Sequence, residues 1–380
     1  MKRVSNLYHK VYDIDNINKM CDLVCSKVKN KEKAEKFMLY KSEHIINIRN
    51  KLISKKLDFS KYSIFLITDP KCRVIMSQSI EDKVINHLVA KYLLVDVYEN
   101  IYTNSMCATR KGKGSSYGIH LLKKYLNKIK YKYTNFYYLK IDIKKYFYNI
   151  DHNILKSILS HKIKDKDALE VLYKIIDSTN NNYINKRIDN LKNNRINYLK
   201  DNHLIREVVE IPLYKYNKGC SIGNQTSQAF GLIYLYEFNH YLKERLHLKY
   251  VINYMDDFII IHEDKDYLKL CLKQIRKYLY NKLKLELNEK KTRIDSMKNG
   301  IDFLGYRFII KNNKVIMKLR NRVKKNFKKK VKWLNELNEL ILNNYISKKE
   351  FKNLLSSYKG LMMYGDCNYL YYSYTNMNLK

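Results

Sequence analysis

Apolar residues recur every three to four positions over much of this sequence, which is the period of an amphipathic helix. One stripe runs from Ile17 to Val28 and a second from Phe37 to Leu52, so two helices are predicted within 16–56. The stretch 179–205 is rich in Asn and Lys, lacks a clear period and is predicted to be a flexible, irregular insertion. Further helices are predicted over 79–98, 115–130, 151–178, from the glycine turn at 219–223 to 246, over 265–283, and from 318 to the end.

Short apolar runs between these helices predict strands. They lie at 62–76, as a hairpin around Asp69-Pro70, at 136–143, at 249–254 and 257–262, and as a strand pair over 301–317. Antiparallel strands mixed with helices, without a βαβα repeat, indicate the α+β class. The sequence therefore predicts one main body to about residue 310 and an added helical module at 311–380.

The net charge of the chain narrows the choice of binding partner. The 380 residues include 74 Lys and Arg against 37 Asp and Glu, a formal net charge of +37. An apolar fraction of 46% excludes a disordered basic tail, since such chains cannot build a core. So large a positive charge repels itself unless a polyanion binds, and nucleic acid is the best match. Solvated charge from compositional drift is the alternative interpretation.

The sequence fits poorly to two other classes, membrane-spanning proteins and secreted proteins. The longest apolar stretches are broken by charges well before a membrane-spanning length of about 18 residues. The N-terminus lacks the apolar region of a secretory signal. Seven scattered cysteines form no CxxC pair, so neither a zinc site nor a disulfide framework is indicated. We therefore expect a cytoplasmic protein with reduced thiols and no membrane partner.

Three aspartates carry the candidate chemistry. Asp256 and Asp257 interrupt an apolar run, which a tight hairpin would accommodate by placing them at its tip. Asp142 ends another apolar strand, and neighbouring strands would bring all three carboxylates to one point. Oxygen ligands of this kind suit Mg²⁺, and two ions about 4 Å apart would activate a 3′-hydroxyl and stabilise leaving pyrophosphate. A solvated hairpin tip without chemistry is the alternative.

These residues resemble a known family. The segment 254–257 (YMDD) is similar to the YxDD motif of reverse transcriptases, and the other blocks follow in the order of that family. The resemblance covers about 45–310, and more loosely extends to 365. The blocks are 69–75 (DPKCRVI, fingers), 109–115 (TRKGKGS, basic glycine turn), 142–147 (DIKKYF, first palm motif), 219–228 (GCSIGNQTSQ, template side), 287–292 (LNEKKT) and 303–306 (FLGY, primer grip).

One block narrows the resemblance further. Group II intron enzymes usually carry QGxxxSP where this chain has IGNQTSQ at 222–228. The IGNxxSQ form is similar to reverse transcriptases of diversity-generating retroelements and related stand-alone bacterial enzymes, some of which act in antiphage defence. Ile222 replaces a Gln of many relatives and cannot hydrogen-bond a base pair, so low fidelity is predicted, with a simple packing substitution as the alternative.

The resemblance implies a right-hand polymerase that copies RNA into DNA with two Mg²⁺, or with Mn²⁺. Its domains would be N-terminal helices and fingers at 1–135, a palm at 136–310 with an insertion at about 179–218, and a helical thumb at 311–380. The partners implied are dNTPs, an RNA template and an RNA/DNA duplex, a cognate non-coding RNA, and an accessory protein or a second copy of the chain. An antiphage-defence polymerase, protein-primed or restricted in template, is the first alternative, and a non-catalytic RNA-binding scaffold is the second.

The resemblance also implies a role for each site residue. Asp142, Asp256, Asp257 and the Ile143 carbonyl would hold metal, and Lys291 would protonate pyrophosphate. Phe147 would pack under the sugar and exclude a 2′-hydroxyl, Gly223 would let the backbone approach the templating base, and Gln228 would hydrogen-bond nearby. Phosphate contacts would come from Lys71 and Arg73 (triphosphate), Arg110 and Lys111 (template or nucleotide), and Arg320, Lys324 and Lys328 on an acid-free stretch with nine Lys or Arg at 318–332 (duplex). Phe303, Leu304 and Gly305 would bind the primer as part of the grip block.

Overall fold

The computed structural model of this chain describes residues 3–68, 71–336 and 348–367, together with 369 and 373. The predicted turn at Asp69-Pro70 lies outside the described residues. The helices are α1 Ile14–Lys27, α2 Lys31–Leu39, α3 Lys41–Ser54, α4 Ile80–Val89, α5 Asp96–Tyr98, α6 Ser115–Lys130, α7 Tyr146–Asn149, α8 His152–Lys162, α9 Lys166–Asp177, α10 Asn182–Tyr198, α11 Asn202–Val209, α12 Gln225–Glu244, α13 Lys265–Leu283, α14 Asn321–Glu336 and α15 Lys348–Tyr364.

The strands form three antiparallel sheets within the described residues, with the orders β1–β2, β4–β5–β3–β6 and β7–β8–β9. This mixture of helices and antiparallel sheets confirms the predicted α+β class. The strands are β1 Ser63–Ile67, β2 Arg73–Ser77, β3 Tyr137–Asp142, β4 Tyr250–Tyr254, β5 Asp257–His262, β6 Arg293–Ser296, β7 Ile301–Phe303, β8 Tyr306–Lys311 and β9 Lys314–Leu319.

The four-stranded sheet lies between two hydrophobic cores. Because side chains alternate between the faces of a strand, Leu139 and Ile141 enter the larger core with helices such as α12 and α13, whereas Tyr138 enters the second core. In that second core the sheet packs against α6 and the β7–β9 sheet. Burial on both faces explains why the sequences of β3, β4 and β5 are nearly continuous apolar runs. It also holds the end of this sheet in a fixed position.

The insertion is helical, so the prediction of an irregular segment over 179–205 was wrong. Helices α10 and α11 bury Ile184, Ile188 and Val208 against the β1–β2 hairpin. Ile184 and Ile188 are one helical turn apart, and they form a short apolar stripe that the surrounding Asn and Lys residues dilute in the sequence. A third hydrophobic core therefore supports the hairpin.

Several boundaries also differ from the sequence prediction. The segment 16–56 lies in α1, α2 and α3, because Asn30 caps a new helix with its side chain. The predicted helix over 151–178 is divided between α8 and α9, and Asp165 caps the second. The helix over 79–98 continues through a π-helical turn at Ala90–Val95.

The C-terminal part of the chain contains two strands that were not predicted, β6 and one of the three strands over 301–319. β7 pairs with β8, and β8 pairs with β9 from Tyr306 opposite Leu319 to Lys311 opposite Lys314. The segment from 311 therefore starts as a strand and becomes helical at α14. This helix packs Phe327 on Tyr358 of α15, with ring centroids 5.3 Å apart. None of the helices described here has the length and apolarity that crossing a membrane requires.

Candidate active site

Three aspartates meet at one end of the four-stranded sheet. Asp142, the last residue of β3, lies directly opposite Asp257, the first residue of β5. Opposed residues of antiparallel strands have Cα atoms about 5 Å apart. Asp256 occupies the two-residue turn between β4 and β5, and the preceding Met255 adopts a left-handed φ of 56°. The structure thus brings together the three carboxylates that the sequence singled out.

Buried amides hold this turn in place. The Asn253 side chain donates to the carbonyl of Met255, and Asn239 donates to the Asn253 side chain at 3.4 Å. The Asn253 backbone donates to Ser105 at 2.8 Å and accepts from Cys107 at 2.9 Å. Asn239 and Asn253 are both fully buried. Because every atom in this chain of contacts is fixed by packing, Asp256 is presented in one position.

The carboxylates are electrostatically strained. Burial, followed by the charges of Asp257 and then Asp142, raises the pKa of Asp256 to about 6. Burial also raises the pKa of Asp257, while the nearby ammonium of Lys140 opposes that rise. Like charges brought together in a desolvated position disfavour ionisation. A cation bound among them would relieve this repulsion.

Asp142 is held by residues from the segment after α13. Lys291 Nζ donates to Asp142 Oδ1 at 2.8 Å, and Asn288 Nδ2 donates to Oδ2 at 2.9 Å. The Asn288 backbone also donates to the Asp142 carbonyl at 2.8 Å. Lys291 was predicted to lie here, and its role as proton donor stays a prediction.

Sequence reasoning missed Asn288 and Lys140 as members of the site. Asn288 lies in the block 287–292 that carried the family resemblance. Lys140 lies two residues before Asp142 on β3, and a period of two places both side chains on the same face. That spacing was the signal that would have found it.

The residues present fit a hard divalent cation. Carboxylate oxygens are the ligands that Mg²⁺ prefers, and the pKa values of Asp256 and Asp257 are raised by burial and by the neighbouring carboxylates, which a bound cation would offset. The described part of the chain has no preformed group of three or more His, Cys, Asp or Glu side chains in metal-binding arrangement. In this structure the Asp142 oxygens bond Lys291 and Asn288 instead, so Lys291 supplies positive charge at the same carboxylate.

The raised pKa of Asp256 makes stability depend on pH. The folded protein holds a proton up to about pH 6, above the ordinary value of 3.8, so its stability falls as pH rises through that window. Asp256→Asn removes this cost of at most about 3 kcal/mol at pH 8. We expect the variant to melt above the wild type at pH 8 in EDTA and at the same temperature near pH 4. An equal difference at both pH values would contradict this assignment, and Glu35→Gln, at an exposed position on α2, serves as the control.

The glycine at 223 makes a close contact with the β1–β2 hairpin. Gly223 has a φ of 126°, and a Cβ there would lie 3.0 Å from the Met76 carbonyl oxygen. The Met76 N–H donates to the Ile222 carbonyl at 2.8 Å, which fastens β2 to this loop. The close approach that the structure explains is therefore to the hairpin backbone, and the approach to a templating base stays a prediction.

Gly223→Ala is expected to displace the hairpin, because the added methyl meets fixed backbone and the φ value is strained for alanine. We expect at least about a tenfold loss of nucleotide affinity, which is about 1.4 kcal/mol. Gly360→Ala is the matched control, since a Cβ at Gly360 has nothing within 4 Å. Steady-state dNTP titration measures the effect, and equal KM values for the two variants would contradict it.

The remaining residues predicted to contact the nucleotide lie on α7, on α12 and at the start of β2. Phe147, half-buried on α7, packs on Gly231, whose added Cβ would lie 3.3 Å from the Phe147 ring. Gln228 is half-buried in the first turn of α12. Lys71 lies two residues before β2 and Arg73 is the first residue of β2, and both are exposed. Arg73 lies close enough to Tyr148 to oppose the burial that raises the pKa of that tyrosine to about 12.

Two predicted nucleic-acid contacts need correction. The Arg110 guanidinium is buried, donates to Glu99 Oε1 at 2.7 Å and to the carbonyls of Thr103 and Met106, and therefore holds its own loop together. Phe303 is 1% exposed in the second core, so its side chain is packing rather than a contact surface. The sequence does not reveal either outcome, because the partners of Arg110 meet it only when the loop over 99–110 folds back, and the core around Phe303 is built from several segments.

The other predicted contact residues are at the surface or half-buried. Lys111 is exposed, and Leu304 and Gly305 form the turn between β7 and β8. Arg320, just before α14, lies 3.5 Å from Asp302, and its charge opposes the burial that raises the pKa of Asp257. Lys324 and Lys328 follow at helical spacing on α14. Their contacts with nucleic acid stay predictions.

Comparison with known proteins decides the family. Residues 61–308, well over half of the chain, match the sequence model described as Reverse transcriptase (RNA-dependent DNA polymerase). The chain belongs to the reverse transcriptase family. The enzyme class expected from the sequence, RNA-directed DNA polymerase, is the one that this family model describes, and the family generally uses divalent metal ions. The right-hand polymerase fold that this family implies agrees with the sheets and helices described above.

Curated relatives include two intron-encoded proteins. This reverse transcriptase is 27% identical over 208 residues to the "Putative COX1/OXI3 intron 2 protein" of Saccharomyces cerevisiae, covering 46% of this chain and 24% of that protein. It is 24% identical over 291 residues to the "Group II intron-encoded protein LtrA" of Lactococcus lactis subsp. cremoris, covering 67% of this chain and 47% of that protein. The reverse transcriptase thus spans at most about half the length of these relatives.

Solved structures similar to this reverse transcriptase include two telomerases. Apo telomerase from Candida tropicalis, truncated from its C-terminal domain, gives a TM-score of 0.41 at 18% identity over 69% of this chain and 55% of that one. Telomerase from Candida albicans with a TWJ fragment of telomeric RNA gives 0.44 at 14% identity over 73% and 50%.

Proposed function

We propose that this chain synthesises cDNA on an RNA template by two-metal nucleotidyl transfer. The observation that carries the proposal is the convergence of Asp142, Asp256 and Asp257 at one sheet end in a chain of the reverse transcriptase family. A non-catalytic RNA-binding scaffold is the rival. The clustered carboxylates count against it, because their raised pKa values cost stability that binding RNA does not require.

The three carboxylates and the Ile143 carbonyl would hold two Mg²⁺, with Mn²⁺ as an alternative. When bound, these ions activate the 3′-hydroxyl and neutralise charge on the leaving pyrophosphate. Lys71 and Arg73 would bind the triphosphate, and Phe147 would lie under the deoxyribose. Lys291, at 2.8 Å from Asp142, is close enough to the metal-binding carboxylates to give a proton to pyrophosphate.

The duplex would lie along the thumb, which we place at 311–380 beside fingers at 1–135 and a palm at 136–310. Helix α14 buries Phe327 and Val331 and carries cationic residues on its other faces. Phosphate contacts from such a face position a duplex without reading its sequence. Binding of primed RNA is therefore expected to weaken steeply as salt is raised.

We place this enzyme in a retroelement-type bacterial system with a cognate structured RNA, in the cytoplasm. The IGNQTSQ block at 222–228 supports this setting, since it departs from the QGxxxSP of group II intron enzymes. The antiphage-defence setting shares the same motifs and is the second candidate. Sequencing the nucleic acid that co-purifies with the protein separates them, because a retroelement setting predicts one dominant structured RNA.

The direct test is incorporation of labelled dNTP on a primed RNA template with Mg²⁺. We expect extension that requires the primer, the template and the metal. Binding of the primed template without any extension, under conditions in which the protein is folded, would favour the scaffold and overturn the proposal.

A further inference from the structure

We propose that Glu207, on the insertion helix α11, is a positioning residue for the nucleotide-binding hairpin, and that the insertion sets the affinity for dNTP. This inference rests on the proposed function, in which Lys71 and Arg73 bind the triphosphate. Glu207 lies outside every motif of the site, and the contacts that follow assign it this role.

Glu207 contacts the hairpin at the residue between the two cationic ones. Its Oε2 accepts the backbone N–H of Cys72 at 3.2 Å. This hydrogen bond is the main reason why the pKa of Glu207 lies below its usual range, and the charge of Lys71 adds to it. A charged acceptor makes a stronger hydrogen bond than a neutral one. The carboxylate therefore fixes the backbone from which Lys71 and Arg73 project.

The hairpin depends on such outside support. β1 and β2 form an isolated two-stranded sheet, and an isolated hairpin is marginally stable in water. On its inner face, Ile64, Val74 and Met76 pack against the insertion helices. Besides that core, the Met76 contact with Ile222 fastens the far end of β2, while Glu207 holds the end near the cationic residues.

The insertion is itself clamped into one orientation. The Asn185 side chain accepts from the Tyr214 N–H at 2.9 Å and donates to the Tyr214 carbonyl at 2.8 Å. The Tyr183 hydroxyl accepts from the Tyr62 N–H at 2.9 Å, which adds a direct bond to the residue before β1. These bonds join the two ends of the insertion to each other and to the hairpin.

The other side of the insertion reaches the segment that follows Asp142. Lys145 Nζ donates to the Glu210 carbonyl at 2.9 Å, and the Tyr148 ring packs on Tyr214 with centroids 4.9 Å apart. Lys145 and Tyr148 flank Phe147, the predicted sugar contact. The insertion therefore spans both walls of the proposed nucleotide site, and a shift of α11 alters the distance between the triphosphate and sugar contacts.

The test is a dNTP titration on a primed RNA template with three variants. Glu207→Ala is expected to raise the KM for dNTP about tenfold or more, with kcat changed less than threefold, because the loss lies in nucleotide binding. Glu207→Gln keeps an acceptor oxygen for the Cys72 N–H and is expected to restore most of the affinity. Glu210→Ala is the matched control, since the exposed Glu210 side chain is one turn away and Lys145 contacts only its backbone.

Direct binding of a fluorescent non-hydrolysable dNTP to the protein–primer–template complex reads the same effect without turnover. Failure of the wild type to extend a primer would contradict the proposed function, whereas unchanged nucleotide affinity in Glu207→Ala would contradict this inference. If Glu207→Ala does not fold, Asn185→Ala perturbs the same insertion from its far end and is expected to raise KM as well. Wild-type KM in that folded variant would overturn the proposal.

Discussion

Asp256→Asn is expected to abolish nucleotide incorporation on a primed RNA template, with a loss of at least about a thousandfold, equivalent to ~4 kcal/mol in the barrier. Asparagine has nearly the same shape as aspartate, so the turn and its contacts with Asn253 remain. What is lost is a negative charge whose burial destabilises the folded protein, as the pKa of about 6 indicates. A divalent ion bound by two carboxylates instead of three would hold the reacting oxygens less well.

The measurement is single-turnover extension at saturating dNTP and Mg²⁺. Asp266→Asn is the control, because Asp266 is exposed on α13 and pairs only with Lys269 at 2.8 Å. Binding of the primed template is expected to be unchanged in both variants. Extension by Asp256→Asn at near wild-type rates would remove the case for metal-assisted catalysis at this turn and favour the scaffold.

Phe147→Ala is expected to lower discrimination against ribonucleotides by about a hundredfold, or ~2.7 kcal/mol. The Phe147 ring rests on Gly231, at which a Cβ would already lie 3.3 Å from the ring. Because Gly231 lies against the Phe147 ring, little space remains for the ring to move away from a 2′-hydroxyl. Removing it opens that space, so the gain appears in the kcat/KM for rNTP rather than in a loss for dNTP.

Competition between dNTP and rNTP on the same template measures this ratio. Phe147→Tyr keeps the ring and is expected to keep the discrimination, while a melting curve reports whether truncation beside Gly231 destabilises the palm. Unchanged discrimination in a folded Phe147→Ala variant would show that the ring serves packing alone.

Elements that are buried on both faces were predicted more accurately than elements that bury a narrow stripe. β3 and β5 were predicted accurately because both faces of their sheet are buried, so their apolar runs are unambiguous. The insertion was misjudged because its helices bury only a narrow stripe, represented by Ile184 and Ile188, among many Asn and Lys residues. Charge alone did not reveal that Arg110 is buried, since its guanidinium reaches Glu99 only when the intervening loop folds back on itself.

The sequence by itself determined the α+β class, the three aspartates and the family resemblance, because apolar periodicity and the order of motifs are local properties of the chain. Only the tertiary structure decided that Asp142 lies opposite Asp257, that Arg110 and Phe303 face protein, and that α10 and α11 support the hairpin. Strand register and packing between segments depend on residues far apart in the chain, and burial of a charge depends on how a loop folds back on itself, so no local pattern records them.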